Sequence, residues 1–235
     1  MLFSKASLAL IASSILLLLT AHTEAHSYAD CIDWRFNSKN KSWADNNGHC
    51  AGYARCFPLG AKKFAKLDSD DPNRHYQQSH NDPDKAPLCS NGRSGEESGA
   101  DETMAKPWTA AYNSKDKHGR KTGTYTVTKV DGTLCIRWPA KNHTVPDEND
   151  PSTFNIGISD VNPSKDPSQE YFNKHIIARL DYKNCTKAGS IDTWPCGGCF
   201  NISISVKLGH HVLQWRWRLN EKEWHTSCAD LDVKA

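Results

Sequence analysis

The chain has 235 residues, with 29 Lys and Arg against 27 Asp and Glu and a formal net charge of +2, a balance that does not mark a nucleic-acid or other polyanion binder. Hydrophobic residues are 37% and charged residues 24%, with a mean hydropathy of -0.68, so the protein is polar and loop-rich. Eight Trp, seven Tyr and seven Phe must supply its core from few positions, each ring burying a large area.

Lys5, the apolar run Leu8 to Leu19 and the small residues from Ala21 to Ala25 have the layout of a cleaved secretory leader. The run is too short for a bilayer-spanning helix, so no membrane anchor is expected after cleavage. The expected division is a signal peptide at 1–25 and a single domain at 26–235, secreted and monomeric. Cutting after Ala25 exposes His26, and cutting after Ala21 would expose His22. The first is favoured because Thr23 and Ala25 then occupy the small-residue positions where the second would place Leu19.

Nine cysteines, at 31, 50, 56, 89, 135, 185, 196, 199 and 228, all follow the leader, which implies an oxidising compartment and several disulfides. The count is odd and the connectivity is open. Four Asn-x-Ser/Thr acceptor patterns, at Asn40, Asn142, Asn184 and Asn201, fit secretion and a glycoprotein. The pair Cys196-Gly-Gly-Cys199 lacks a βαβ context and is expected to serve structural disulfides, neither a redox pair nor half of a zinc site.

From His26 to about Arg120 the chain is dense in Gly, Pro, Asn, Asp and Ser. It reads as a disulfide-stapled excursion with short helical turns near Gly52 to Phe57 and Gly60 to Leu67. Strand signals then take over. Thr122 to Val130 alternates, Asp131-Gly132 is a hairpin signal, and Leu134 to Trp138 follows. Further strands are expected at Ile176 to Leu180, Phe200 to Leu208 with Ile202, Ile204 and Val206 on one face, Val212 to Leu219, and Thr226 to Val233. Several short strands between turn signals predict an all-β fold: an immunoglobulin/fibronectin-like antiparallel β-sandwich with long disulfide-stapled loops and short helices.

A mature chain that starts at His26 offers one metal ion two nitrogens from one residue, the α-amine and the ring Nδ1. A third nitrogen is expected from His143, which follows the strand Cys135 to Trp138 and Pro139. Of the remaining histidines, His49, His75, His80 and His118 lie in polar loops and are most simply exposed. His175 precedes Ile176-Ile177 and is expected to be buried and hydrogen-bonded. His210-His211 would point to opposite faces of a strand and are expected to be structural.

These features together resemble a lytic polysaccharide monooxygenase. The residues that carry the resemblance are the exposed His26, the strand ending Trp138-Pro-Ala-Lys-Asn-His143, and the closing pair Val212-Leu-Gln-Trp-Arg-Trp217 and Ser227-Cys-Ala-Asp-Leu-Asp-Val233. The opening His-Ser-Tyr-Ala-Asp-Cys-Ile-Asp-Trp and the cysteine-rich first half are most similar to the oomycete pectin-active group, auxiliary-activity family seventeen. The resemblance implies one copper ion in a histidine brace made by His26 and His143, and nitrogen donors of this kind suit copper. Structural zinc, by contrast, usually takes four closed ligands. An axial aromatic would be expected five residues before Asp230, where this chain departs from the pattern with His225 and Trp224 beside it: either His225 is a further ligand or hydrogen-bonds to the ligands, or the register slips and Trp224 takes the position, the plain alternative being a surface histidine. Gln214 is a candidate to position the oxygen species, and Lys141 and Asn142 are candidates for substrate contact.

The function so implied is oxidative cleavage of a plant cell-wall polysaccharide, homogalacturonan in particular. It needs an external electron donor and either O2 or H2O2, and it begins with hydrogen abstraction at a carbon of the glycosidic linkage. The alternative is a non-catalytic secreted copper- or glycan-binding protein on the same scaffold.

Overall fold

The computed structural model describes residues 28–37, 39, 41–55, 77–79, 125–140, 153–164, 166–189, 194–220 and 223–235. The strands in these segments are β1 (Asp33–Arg35), β2 (His49–Gly52), β3 (Gln77–Ser79), β4 (Thr126–Lys129), β5 (Thr133–Pro139), β6 (Thr153–Ile158), β7 (Ile176–Asp181), β8 (Pro195–Asn201), β9 (Gly209–Asn220) and β10 (Glu223–Lys234), with one helix, α1 (Gln169–Lys174), between β6 and β7. This is the expected all-β sandwich. No helix among the described residues is long and apolar enough to cross a membrane.

The alternation in the last forty or so residues explains the larger layer. On β9, Leu213, Trp215 and Trp217 enter the main core, and on β10 so do Ala229, Leu231 and Val233. The intervening Val212 and Cys228 join Phe172 of α1 in a separate cluster, as a side-chain period of two requires. The two strands pair antiparallel from Trp224↔Arg218 to Val233↔Gly209. The sheet runs β3-β10-β9-β6-β7, with β4 also pairing β10, in parallel. The facing layer is β5 with β8, joined to the β1–β2 pair by a bridge between Cys31 and Arg137.

Aromatic stacking fills the space between the layers. Tyr182 stacks on Trp217 at 3.9 Å between ring centres, and Trp138 lies 6.0 Å from Tyr182 and 6.5 Å from Trp215. Trp138 also bonds to the Tyr182 backbone: its Nε1 donates to the Tyr182 main-chain carbonyl at 3.2 Å. Buried aromatics are tolerated in this way when the N–H or O–H finds an acceptor.

Three sequence expectations change. Asp131-Gly132 does make the turn, with Asp131 in the left-handed region at φ 57° and Gly132 N bonded to Lys129 O, but no hairpin results. β4 joins β10 and β5 joins β8, so the turn carries the chain from one layer to the other. The strand expected at Phe200 to Leu208 is instead Pro195–Asn201. Only Ile202 of its supposed face is in the core, while Ile204 is 80% exposed in a turn closed by Ser203 and Ser205. Gly52 ends a strand rather than opening a helical turn, and the second expected turn, at 60–67, lies outside the described residues. The helix α1 was not anticipated, although Ser168 caps it by accepting from Tyr171 N and Glu170 pairs with Lys174, an ordinary N-cap and an i,i+4 pair.

Among the described residues, disulfides join Cys31–Cys50, Cys135–Cys199 and Cys185–Cys196. The two cysteines of Cys196-Gly-Gly-Cys199 therefore belong to different bridges and are structural, as expected. Gly197 and Gly198 make room for the close packing of β8: a methyl at the first would overlap the Trp43 ring, and one at the second would sit 3.0 Å from both Leu180 methyls. Cys228 is bonded too. Arg55 N donates to Cys228 O at 2.9 Å, which sets the chain next to residue 56 against β10. Peptide mapping without reduction is expected to join Cys228 to Cys56, and a peptide joining Cys228 to Cys89 would overturn that pairing.

Candidate functional site

The first described residues form one of the most deeply buried stretches of the protein. Tyr28, Ala29, Asp30, Cys31 and Ile32 are each no more than 2% exposed. What holds them is an ion pair that the apolar surroundings make obligatory. Arg137 of β5 donates to Asp30 through Nη2 at 2.7 Å and through Nε at 3.2 Å, and its guanidinium lies 3.8 Å over the Trp34 ring. The backbones are laced together as well: Asp30 N donates to Arg137 O at 3.0 Å, and Arg137 N donates to Cys31 O at 2.9 Å. Ala29 N reaches across to Ser227 Oγ on β10 at 3.3 Å.

β5 is held down to its last residues. Tyr182 Oη donates to the carbonyls of Pro139 and Ala140 at 3.0 and 3.2 Å, and Ala140 N donates to Trp194 O. Pro139 has no N–H to offer a neighbouring strand, which suits it to the strand end. Thus three segments meet: the chain leading back toward residue 26, the strand leading on toward residue 143, and β10 at Ser227.

His225 stands two residues from Ser227, on the same face of β10 as Ala229 and Leu231. It is fully buried, its ring stacks on Trp217 at 5.4 Å, and it pairs across the sheet with Trp217 of β9 and Gln78 of β3. A solvent-facing histidine at this position is therefore ruled out. Trp224 has the opposite strand parity and pairs with Arg218 and Ser79; its side chain lies outside the described residues.

Gln214 lies on the other side of the sheet from His225. It is buried on the α1 side of β9, and its amide exchanges two hydrogen bonds with Gln169, at 2.9 and 2.8 Å. The pair docks α1 on the sheet, on the face opposite to Trp217 and His225, so Gln214 is not directed toward the β10 histidine. It is not solvent-facing either.

His26, His143, Lys141 and Asn142 lie outside the described residues. Among those described, no group of three or more His, Cys, Asp or Glu is disposed to hold a metal ion. His210 and His211 are structural, as expected from their strand parity: His210 Nε2 lies 2.8 Å from Asp230 Oδ1, and the His211 ring nitrogens lie 3.0 and 2.9 Å from the carbonyls of Ser159 and Lys207. His49 is exposed, as expected, whereas His175 is exposed rather than buried and stacks on Tyr171.

The sequence reading missed the charged residues that fix these segments. Besides Asp30 and Arg137, buried Arg55 binds Asp230 through Nε and Nη2 at 2.9 and 2.8 Å and Asp166 through Nη1 at 2.9 Å. The signal was present in Ile136-Arg-Trp138 and Ala229-Asp-Leu231, single charges set in apolar strand, which stay buried only when paired.

No protein-family model matches the chain, and no curated protein matches it. Among solved structures it is similar to a cellulose-active LPMO, CelS2, in complex with copper, over 66% of this chain and 72% of that one, at 15% identity and a TM-score of 0.41. It is also similar to T. fusca AA10A, over 50% of this chain and 60% of that one, at 12% identity and a TM-score of 0.29. Similarity at this level establishes no family membership.

Proposed function

We propose that the chain is a secreted copper-dependent lytic polysaccharide monooxygenase that oxidatively cleaves a plant cell-wall polysaccharide, with homogalacturonan as its substrate. The observation that supports this reading best is the antiparallel bridge between Cys31 and Arg137. In an antiparallel seam, the chain before one partner and the chain after the other leave in the same direction. His26 stands five residues before Cys31 and His143 six after Arg137. His26 is two positions before buried Tyr28 and His143 three positions after buried Ala140, a reach of roughly 10 Å of extended chain at most.

The donor set, an amine and two imidazoles, suits copper, and a rigid seam is the kind of support that such donors need when they come from distant positions in the sequence. In this reading the His26 amine and Nδ1 and a ring nitrogen of His143 hold the ion, and the Asp30–Arg137 pair holds the segments that carry them. Bound copper, reduced by an external donor and supplied with O2 or H2O2, provides the oxidising power to break a C–H bond that acid-base groups cannot attack. The protein's own share is ligation and orientation, resting on the aromatic stack under β5 and on His225 packed against Trp217.

The test starts from secreted protein whose first residue is read by N-terminal sequencing. Protein beginning at His26 is expected to bind one copper per chain and to release oxidised oligosaccharides from homogalacturonan only when a reductant is present. Adding one glycine before His26 converts the amine to an amide, and both properties are expected to be lost. Copper binding without reductant-dependent product would instead favour the non-catalytic copper-binding alternative, and an N-terminus other than histidine would overturn the brace.

A further inference from the structure

Arg35 of β1, the β4 residues Val127, Thr128 and Lys129, Thr133 of β5 and Lys234 of β10 line a surface groove of about 320 Å³. It lies at the opposite end of β5 from Ala140, and seven strand residues at about 3.3 Å each put it roughly 20 Å from that end. Lys129 stands directly beside Lys234 in the parallel β4–β10 register, where like charges on neighbouring strands repel. The counter-charges on the walls sit low. Asp33, bonded to Arg35 at 2.6 Å, is 3% exposed, and Asp232, bonded to Lys234 at 2.6 Å, is 14% exposed, whereas Arg35 and Lys234 are 50% and 59% exposed. Arg35, Lys129 and Lys234 thus stand against two more deeply set carboxylates, which leaves the groove net positive, and the 47%-exposed Val127 gives one wall an apolar surface.

We propose that this groove is an anchoring site for a carboxylate-bearing glycan chain, separate from the oxidising end of the molecule. A uronate polymer offers what the walls require: a carboxylate for the excess positive charge centred on Lys129, flanked by the exposed parts of Arg35 and Lys234, and C–H faces for Val127, in a strand long enough to leave the groove and continue along the protein. Assigning the anion to a glycan rests on the function proposed above, but the site itself does not need copper.

The experiment is affinity electrophoresis of the copper-free full chain through gels containing polygalacturonate or, at the same load, fully methyl-esterified pectin. Wild type is expected to be retarded by the first and not by the second, and about 0.5 M salt should abolish the retardation by screening. The double variant Lys129→Ala/Lys234→Ala, shown to be folded by an unchanged melting temperature, is expected to bind roughly fivefold more weakly, since exposed charge contacts are individually small. Lys129→Arg/Lys234→Arg should restore binding. Equal retardation of wild type and the alanine variant, or equal retention on esterified pectin, would overturn the proposal. So would displacement of the polymer by millimolar inorganic phosphate, which would make the groove a general anion site. His143→Ala is expected to lose copper while keeping its retardation, so failure of the brace and failure of the groove are told apart.

Discussion

Replacing Arg137 by methionine is expected to lower the stability of the fold by about 3–5 kcal/mol, the usual cost of leaving a buried partner charge alone. Asp30 would keep its place only 2% exposed, having lost three contacts between 2.7 and 3.2 Å, and Trp34 would lose the cation above its ring. In a domain of this size the change corresponds to a fall of roughly 10 °C in melting temperature, measured by circular dichroism. The double variant Asp30→Leu/Arg137→Met removes both charges and is expected to recover much of the loss, because an apolar pair of similar volume avoids the desolvation cost. If the single variant melts like wild type, the pair does not hold the N-terminal segment. Copper affinity is a second readout: the seam orients the proposed brace, so Arg137→Met should weaken binding even at temperatures where the chain stays folded, with the Cys31–Cys50 disulfide still tethering the segment.

The long closing ribbon was legible because its alternation is strong over twelve residues in each strand, and the structural role of the Cys196 and Cys199 thiols followed from compartment and context. The pairing of β5 with β8 was not legible. Pro195, Gly197 and Gly198 are poor strand formers, yet these residues form a strand because Cys135–Cys199 ties it to β5, Cys185–Cys196 ties it to the segment after β7, and the Trp43 ring packs against Gly197. Conversely, Ile202, Ile204 and Val206 have the right period for a strand but lie where the chain turns. Local pattern was overruled by long-range covalent and packing constraints. The same holds at the candidate site. The sequence could single out histidines by type and position, but Asp30, Arg55, Arg137 and Ser227 act by meeting partners between 107 and 198 residues away, and no spacing rule records such meetings.

The stability of the fold should depend on pH through Asp230. Burial by itself would raise its pKa, but the His210 hydrogen bond and the charge and hydrogen bonds of Arg55 outweigh burial and hold it below the usual 3.8. A carboxyl whose folded pKa is depressed contributes stability above its unfolded value and loses that contribution as pH falls through the folded one. Wild type is therefore expected to lose stability below about pH 4 as this carboxylate is protonated. Asp230→Asn should be less stable than wild type at pH 6 by about 3–5 kcal/mol, since it strands part of the Arg55 charge, which then has Asp166 as its remaining carboxylate among the contacts described here. Urea unfolding followed by tryptophan fluorescence from pH 2 to pH 7 gives both curves. They should stand apart at neutral pH and converge in acid, where the wild-type carboxyl is neutral as well. Two parallel curves would mean that Asp230 is not the acid-labile support of β10, and that the strand carrying His225 is held by its neighbours alone.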